Sequence, residues 1–468
     1  MKFRSACSLW ATGLLLLTLT ACGGSSDDGF AYPSKEGAAL PFSTLQTLGN
    51  ADRTAIRNGG FGSAMAPHPT LAGHFYALTD RGPNADPLAG TLPGGKFFPT
   101  PGFTPHIGLF KLDDKGQATL VRTVALKDPK GRSITGLPNS AFGSTGEVAY
   151  NLDGSKVTLD PDGSGAPGFD ESGLDPEGLV ALPDGSFWVS DEYGPHMVHF
   201  DASGKEIGRI NPFAADPRNR AGRMLPPELA RRWPNRGMEG LAITPDGKTL
   251  VGIMQSNLYN PTSAIGSINL TRIVTVHLET GARAQYLYKQ DAAGLANSDI
   301  VALSATTFLV IERDTKFFGR DTGTVRKNLY KIDIAKATNV DALTSPLNDA
   351  SIVRDPAAGL LVGGKTLEQV AKDGGTDNNF AAGWAALAEA GIQPVAKTLV
   401  YDAVKEMSYP HDKMEGLWVI DANRVGILND DDFAIEPDGK GGVRQKVLGN
   451  GKVDANTLYV VRLAAPLY

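Results

Sequence analysis

The sequence predicts an all-β fold of the β-propeller type, on two observations. The chain of 468 residues contains 55 glycines and 30 prolines, which suits many short strands joined by turns. A hairpin cassette also recurs along the chain: an apolar strand, a turn, a second apolar strand, and a polar or acidic end. Its five copies occupy residues 61–84, 175–196, 237–258, 297–316 and 413–433. Repeated units of this kind are the sequence signature of a propeller.

Further strands follow these cassettes, and most of them close on an acid. They lie at residues 106–114, 196–205, 272–281, 328–334 and 457–463. Three or four strands per unit is the composition expected of a propeller blade. Counting cassettes gives five blades, and filling the gaps between them gives seven. We favour six blades within this range of five to seven.

Two stretches between cassettes are open to more than one interpretation. Residues 338–400 contain GKTLEQVAKD and AAGWAALAEAG, whose Ala, Leu and Glu content indicates helix, so we expect a helical insertion there, with a divergent blade as the alternative. Residues 115–174 contain SKVTLD, a possible strand, next to loop-like sequence. The stretch 216–236 reads as a loop with one short helix after Pro226-Pro227, and we expect it to fold over a propeller face.

The N-terminus is typical of a targeting segment. Lys2 and Arg4 precede a short apolar run, and Leu19-Thr20-Ala21-Cys22 resembles a bacterial lipobox. We predict a signal peptide at 1–21, a flexible tether at 22–39 that begins at lipidated Cys22, and a propeller domain at 40–468. The protein would then be exported and anchored by its lipid to a membrane of the bacterial cell envelope. An ordinary signal peptide with an incidental cysteine is the alternative.

Composition and charge limit the classes of partner. Hydrophobic residues make up 41% of the chain and charged residues 21%, so a packed core is expected. The formal net charge of −6 argues against nucleic acid as a partner and suits a protein that concentrates carboxylates around a cation. We expect a monomer that acts on a small molecule.

Four acidic residues take the same place in four cassettes: Glu177, Glu239, Asp299 and Glu415. In a propeller, equivalent positions at the rim of the innermost strands converge on one point. Carboxylates gathered there cannot all stay ionised without a cation, and hard oxygen ligands favour Ca²⁺, with Mg²⁺ less suited. The alternative is that these acids cap strands and bond neighbouring blades.

A second set of polar residues follows the second strands. Asp191 and Glu192 are candidates for a general base, and Arg81 and Arg313 are candidate anion binders because a guanidinium meets phosphate or carboxylate with two bonds. Salt bridges between blades are the alternative role for the arginines. The sequence contains no GxSxG nucleophile elbow and no HExxH zinc motif, whereas hydrolysis by metal-activated water stays open.

Five ordered motifs are similar to those of a known family. They are DRGPN at 80–84, DPEGL with FWVSDEYGP at 175–195, PNRGMEGLAIT at 234–244, IERD at 311–314, and MEGL with NDDDF at 414–433. Together they resemble the bacterial phytase-like family, often labelled "esterase-like activity of phytase", from about residue 40 to the end. One departure is visible: Asp431 stands where an Asn is expected.

The resemblance implies an exported β-propeller, frequently a lipoprotein, with phosphoesterase or esterase activity. Propeller phytases are generally calcium-dependent, which agrees with the carboxylate ring. The first hypothesis is therefore a Ca²⁺-dependent phosphoric-ester hydrolase with an anionic substrate. A calcium-dependent lactonase or arylesterase is the second, and a non-catalytic binding or scaffold propeller at the envelope is the third. Cations near the acids, such as Arg81, Arg313, Lys316 and Lys413, favour phosphate.

Overall fold

The computed structural model describes residues 29–343, 351–373 and 379–468, and most of its regular structure is β-strand. Five antiparallel sheets of four strands each dominate it, numbered here sheet 1 to sheet 5. From the innermost strand outward, sheet 1 contains Ala64–Pro67, His74–Leu78, His106–Leu112 and Ala118–Ala125, and sheet 2 contains Pro176–Ala181, Phe187–Asp191, His196–Phe200 and Glu206–Ile210. Sheet 3 contains Met238–Ile243, Thr249–Met254, Leu270–His277 and Arg283–Lys289, and sheet 4 contains Ala296–Ala302, Thr307–Arg313, Lys327–Asp333 and Ala396–Asp402. Sheet 5 contains Gly416–Asp421, Arg424–Leu428, Thr457–Arg462 and Ala38–Ala39.

The innermost strands pack against one another in a closed ring. The strand of sheet 1 contacts those of sheets 2 and 5, and the contacts continue from sheet 2 to 3, 3 to 4 and 4 to 5. Each predicted cassette supplies the two innermost strands of one sheet, and each predicted following strand is the third. The all-β class is confirmed. The described ranges contain no sixth four-stranded sheet, where the sequence favoured six blades.

The ring is closed by pairing the two ends of the described chain. Ala38–Ala39 forms the outermost strand of sheet 5, antiparallel to Thr457–Arg462. Before it, the Ala31 N–H donates to the carbonyl of Asp113 at 2.8 Å, and the Tyr32 ring lies edge-on to Trp418 at 5.5 Å. Contacts with the five sheets therefore begin before residue 40. The signal peptide and Cys22 lie outside the described residues.

The other regular elements are short and lie between the strands of the five sheets. The remaining strands are Ser43–Thr47 with Ala55–Asn58, Gly95–Phe97 with Val148–Tyr150, Ile352–Asp355 with Gly359–Val362 and Lys365–Thr366, and Ile435–Pro437 with Val443–Gln445. The helices are α1 (Leu367–Lys372), α2 (Ala381–Glu389) and α3 (Ala403–Met407), with 3-10 helices at Pro227–Arg231, Ser263–Ile265 and Asp432–Ala434. None of these helices is both long enough and apolar enough to cross a bilayer.

An insertion separates the third and fourth strands of sheet 4. It carries α1 and α2 where the sequence indicated helix, and α1 begins with a capping box between Thr366 and Gln369. Leu367 and Trp384 of these helices pack with Leu287 on the outer edge of sheet 3. The insertion therefore has a core of its own but adds no blade within the described residues. In 155–160, the possible strand is limited to an isolated bridge.

The hairpin turns show why the cassette folds as it does. In sheet 2 the turn Pro183-Asp184-Gly185 places Gly185 at a φ of +86°, a conformation that favours glycine. The Asp184 carboxylate accepts the N–H of Ser186 at 2.9 Å and closes the turn. Since every turn lies at one end of the ring, the acidic ends of the cassettes gather at the other.

Candidate active site and metal centre

The glutamates predicted as metal ligands occupy irregular positions at the start of the innermost strands. In sheet 2 the pairing register shifts between Pro176 and Gly178, which leaves Glu177 as an extra residue. A shift in sheet 3 leaves Glu239 in the same position, and Glu415 comes directly before the innermost strand of sheet 5. A β-bulge re-aims the side chain of its extra residue. All three glutamates consequently line one cavity.

Asp299, the fourth predicted ligand, points elsewhere because sheet 4 has a longer irregularity. Two residues, Ser298 and Asp299, fall between paired positions. Counted back from Ile300, Ser298 takes the position that Glu177 holds in sheet 2, and Asp299 takes the next one. Its carboxylate oxygens accept the N–H groups of Ile300 at 2.8 Å and Leu417 at 2.9 Å. Asp299 thus joins sheets 4 and 5 and does not line the cavity.

The cavity has a volume of about 540 Å³ and is lined by ten acidic and seven basic side chains. The acids are Asp80, Asp86, Asp175, Glu177, Glu192, Glu239, Asp412, Glu415, Asp432 and Glu436. The bases are Arg81, Lys96, Arg236, Arg313, Arg320, Lys413 and Lys446. Fully ionised, this lining carries three more negative than positive charges, and several of the acids are buried. Such a cavity favours an added cation.

A second ring of polar side chains follows the second strands of the five sheets. By strand register its members in sheets 1 to 5 are Asp80, Glu192, Gln255, Arg313 and Asp430. They bridge neighbouring sheets. The Gln255 side-chain amide donates to Glu192 at 2.7 Å and also to Glu239, and Arg313 donates to Ser298 at 2.8 Å and pairs with Glu415. The second ring thereby fixes the glutamates of the first.

The two residues predicted as a general base have different environments. Asp191 is fully buried, and its oxygens accept the N–H groups of Asp175 and Gly194, both at 2.8 Å. Burial raises the pKa of Asp191 to about 7. It holds the turn after the second strand and does not line the cavity, whereas Glu192 does. The structure therefore brings only Glu192 to a place where it can meet a substrate.

The two predicted anion binders both line the cavity, but acids already accompany them. Arg81 lies 3.1 Å from Glu147 and 3.4 Å from Asp175, and Arg313 pairs with Glu415. Both arginines are buried. These are the salt bridges that the sequence left as the alternative role. The arginines set the charge of the cavity wall and leave fewer donors for a ligand.

Two groups of acids have the spacing of a metal site. The Glu177 trio consists of Asp175, Glu177 and Glu192, and the Asp80 trio consists of Asp80, Asp430 and Asp432. Within each trio, one oxygen per residue lies within 4.8 Å of the others. Two ligands of one Ca²⁺, each at about 2.3–2.6 Å, are separated by at most about 5 Å. Both trios pass this distance test.

The chemistry of the donors favours the Glu177 trio. Among the described residues, the carboxylate of Glu177 has no hydrogen-bond or ion-pair partner. Beside it, the buried Oε2 atoms of Glu239 and Glu415 also lack a hydrogen-bond partner. Buried charged oxygens without partners are costly, and a cation removes that cost. An all-carboxylate set of this kind fits Ca²⁺.

The pKa values of these acids report the same crowding. Burial raises the pKa of Glu177 well above its usual range, and the charges of Glu239 and Asp175 raise it further. Burial and the same two neighbours act on Glu192 in the same direction. Burial, followed by the charge of Glu415, raises the pKa of Glu239 to about 8. Without a cation, burial and mutual repulsion therefore favour the protonated form of these carboxyl groups.

A family comparison covers most of the part of the chain that forms this cavity. A family model described as "Phytase-like: Esterase-like activity of phytase" matches residues 56–433, which include all five cassettes. The chain belongs to the phytase-like family. A curated relative of this phytase-like protein, an "Uncharacterized secreted protein" of Arthroderma benhamiae, is 32% identical over 295 residues. That match covers 53% of each chain, so the phytase-like chain spans about half the length of this relative.

Solved structures similar to the phytase-like chain are distant. A periplasmic gluconolactonase of Pseudomonas aeruginosa is 12% identical, with 93% of this chain and 99% of that chain covered and a TM-score of 0.30. A putative oxidoreductase (glucose dehydrogenase) of Thermus thermophilus is 10% identical, with 93% and 98% covered and a TM-score of 0.33. Scores this low carry no conclusion about the reaction.

Sequence reasoning missed several residues that the phytase-like fold brings to the cavity. Asp175 stands two positions before Glu177 in the cassette. Extending the strand pairing of this hairpin by one residue pair would have predicted that Asp175 lies near the cavity. Lys446 and Arg236 lie outside the cassettes; Arg236 belongs to the motif at 234–244 but was not singled out, and no sequence pattern pointed to Lys446. Lys446 is 1% exposed and lies 2.8 Å from Asp412. Both residues reach the cavity because loops distant in sequence fold over the ring of innermost strands.

The final acidic motif contains a left-handed turn. Asp432, Phe433 and Ala434 have φ angles of 48°, 56° and 62°, which residues other than glycine rarely adopt. The buried Phe433 ring packs against Gly60, where a Cβ would lie 2.5 Å from the ring, so the turn is held in place. Asp431, the departure from the family motif, is buried with an unpaired Oδ1, and burial followed by the charge of Asp454 raises its pKa to about 7.

Proposed function

We propose that this chain is an exported, Ca²⁺-dependent hydrolase of anionic phosphoric esters, built on a propeller of five blades. The observation that supports it best is the Glu177 trio: three acids at metal-ligand spacing, one of them without a partner, in a cavity that also presents cations. Export is supported by the N-terminal targeting pattern and by the secreted relative. Lipidation at Cys22, attachment to the cell envelope and a monomeric state belong to the same proposal.

Asp175, Glu177 and Glu192 would hold the cation. When bound there, Ca²⁺ supplies Lewis acidity toward a phosphoryl oxygen and toward water. Glu239 is placed to accept a proton from the attacking water, because its Oε2 is buried, unpartnered and next to the trio. Gln255, which donates to both Glu192 and Glu239, keeps the ligand and the proton acceptor at a fixed separation.

Arg236 supports an anionic substrate. It is exposed on the cavity rim and, among the lining cations, it is the one without an ion pair in the described ranges. Its neighbour Asn235 also lines the cavity and has a left-handed backbone, with a φ of 53°. Next in the chain, Gly237 approaches Glu192 so closely that a Cβ would lie 2.1 Å from the Glu192 carbonyl. The loop is thus pressed onto the cavity and presents a free guanidinium to it.

A carboxylic-ester or lactone hydrolase is the second candidate. It is favoured by one observation: six of the seven lining cations already pair with acids, which lowers the positive charge left for phosphate. A neutral ester needs no free cation beyond the bound metal.

The first experiment compares hydrolysis of nitrophenyl phosphate and nitrophenyl acetate by the mature protein, with and without EGTA. We expect phosphate release that EGTA abolishes and added Ca²⁺ restores. Hydrolysis of the acetate alone would replace the proposal with the second candidate. Hydrolysis of neither ester, with calcium present, would identify a binding or scaffold propeller.

Arg236→Ala is expected to raise the KM for nitrophenyl phosphate about tenfold with little change in kcat, because a charge-assisted bond to an anion contributes about 1.5–3 kcal/mol. Steady-state kinetics measure this change. Arg220→Ala is the matched control: Arg220 lies in the same 216–236 loop and is exposed, but it stacks on Trp188 and does not line the cavity. An equal rise in KM in both variants would show that the loop, and not the guanidinium, determines binding.

A further inference from the structure

The Asp80 trio differs from the Glu177 trio in what its oxygens already contact. The Lys413 ammonium lies 2.7 Å from Asp430 Oδ2 and 2.6 Å from Asp432 Oδ1. Behind it, Lys446 lies 2.6 Å from the other oxygen of Asp432. Asp430 Oδ1 accepts the N–H of Asp432 at 3.0 Å. Every oxygen of these two aspartates is therefore engaged, three of the four by an ammonium group.

The third acid of this trio is partly engaged as well. Asp80 Oδ1 accepts the N–H of Gly82 at 2.7 Å. The Lys413 N–O distances are close to the Ca²⁺–O distances of about 2.3–2.6 Å, so the ammonium stands where a second cation would stand. Glu177, in contrast, has a carboxylate with no such partner in the described part of the chain.

Lys413 is held in this position from both sides along the chain. Its N–H donates to Asp412 at 3.0 Å, and its carbonyl accepts the Tyr409 hydroxyl at 3.0 Å. The next residue, Met414, is fully buried in the core between sheets 4 and 5. Only 27% of the Lys413 side chain is exposed, on the side that lines the cavity. These contacts hold the otherwise flexible side chain of Lys413 in one position.

The charge of Lys413 reaches acids on three other sheets. Burial raises the pKa of Asp80, Glu192 and Glu239, and the ammonium of Lys413 works against that rise in each case. The pKa of Lys413 itself is raised well above its usual range, because Asp430 and Asp432 outweigh the effect of burial. The lysine therefore stays charged at neutral pH.

We propose that Lys413 serves as a built-in second cation, so that the Asp80 trio binds no metal ion in the wild-type protein. The inference rests on the proposed function for the ion at the Glu177 trio. The cavity would then contain two kinds of cation. One is the exchangeable divalent ion at the Glu177 trio of sheet 2, and the other is the fixed ammonium of Lys413 next to sheet 5. Two of the three ammonium N–H groups hold Asp430 and Asp432, which leaves the third for an anionic substrate.

The test counts Ca²⁺ ions per chain by equilibrium dialysis of the metal-free mature protein. Lys413→Met removes the charge at similar volume and frees one oxygen each of Asp430 and Asp432 beside Asp80, so we expect it to bind one more Ca²⁺ than the wild type. Lys413→Arg keeps the charge and should bind the wild-type number. A folded Lys413→Met variant, checked by circular dichroism, that binds only the wild-type number would overturn the proposal.

A second measurement uses the wild-type protein and does not depend on any variant folding. In crystals soaked with Mn²⁺ as an anomalous probe, we expect no ion among Asp80, Asp430 and Asp432, and an ion there would overturn the proposal. The double variant Glu177→Gln with Glu192→Gln tests the proposed function separately, since it should bind one Ca²⁺ fewer than the wild type. An unchanged number of bound Ca²⁺ ions in that double variant would rule out the proposed metal site at the Glu177 trio. The role of Lys413 is tested independently, by Lys413→Met and by the soaked crystals.

Discussion

Glu177→Gln is expected to lower kcat/KM at least about 100-fold, since loss of a residue that merely hydrogen-bonds to a metal ligand already changes affinity or activity by about 10–100-fold. The variant loses the one carboxylate of its trio that has no other partner. In EGTA its thermal stability should equal or exceed that of the wild type, because the charge it removes is repelled by Glu239 and Asp175. With Ca²⁺ at 100 times its dissociation constant, the wild type should gain about 2.7 kcal/mol that the variant does not. Calorimetric melting with and without Ca²⁺ measures both quantities.

Asp299→Asn is the matched control, because the sequence places both acids at the same cassette position and the structure does not. An asparagine amide cannot accept from both Ile300 and Leu417, so one backbone N–H is left unpaired between sheets 4 and 5. We expect a loss of about 1–3 kcal/mol in the free energy of unfolding, the cost of an unsatisfied buried group, whether or not Ca²⁺ is present. Calcium stoichiometry should not change. A loss of calcium binding in both variants would contradict the assignment of Ser298, and not Asp299, to the position of Glu177.

Glu177 and Asp299 show which features of this fold can be predicted from the sequence and which cannot. The cassette predicted which segments form the inner hairpins, because a short turn between two apolar strands is a local signal repeated five times. The position of a side chain at the end of a strand depends instead on one or two unpaired residues. Since strand side chains alternate in direction, a single extra residue in sheet 4 turns Asp299 away from the cavity. No local pattern distinguishes that case from Glu177.

Blade number and loop contacts were harder to predict for a related reason. The apolar residues of α1 and α2 form a core against sheet 3; their sequence indicated helix but left a divergent blade open as the alternative. Lys446 reaches the cavity from a short hairpin that folds over it, and its partners Asp412 and Asp432 lie 34 and 14 residues away in the chain. Ion pairs between residues so far apart in the chain form only when the tertiary structure brings them together, and no local spacing of residues in the sequence predicts them.

Arg272→Met is expected to have the largest effect on stability, about 3–5 kcal/mol, because it leaves a buried carboxylate without its cation. Arg272 lies in the third strand of sheet 3 and is 1% exposed. Its guanidinium contacts Glu368 of α1 at 2.5 Å and the Gln285 side chain at 2.6 Å, and Gln285 in turn donates to Glu228 at 2.9 Å. Urea unfolding followed by circular dichroism measures the loss.

The double variant Arg272→Met with Glu368→Leu is the control for this effect. A buried ion pair replaced by apolar side chains of similar volume is often neutral or stabilising, so most of the lost stability should return. A double variant as unstable as Arg272→Met alone would show that packing, and not the unpaired charge, causes the loss.

The same network connects stability to the cavity. Glu228 belongs to the 3-10 helix Pro227–Arg231, which lies in the loop that also carries Asn235 and Arg236 to the cavity rim. Loosening this helix should displace Arg236, so Arg272→Met should also raise the KM for nitrophenyl phosphate, although Arg272 itself does not line the cavity. In the double variant Glu228 still lacks its cation 3.9 Å away, so KM should recover less completely than stability. Equal recovery of both would show that Glu228 has no part in holding the rim.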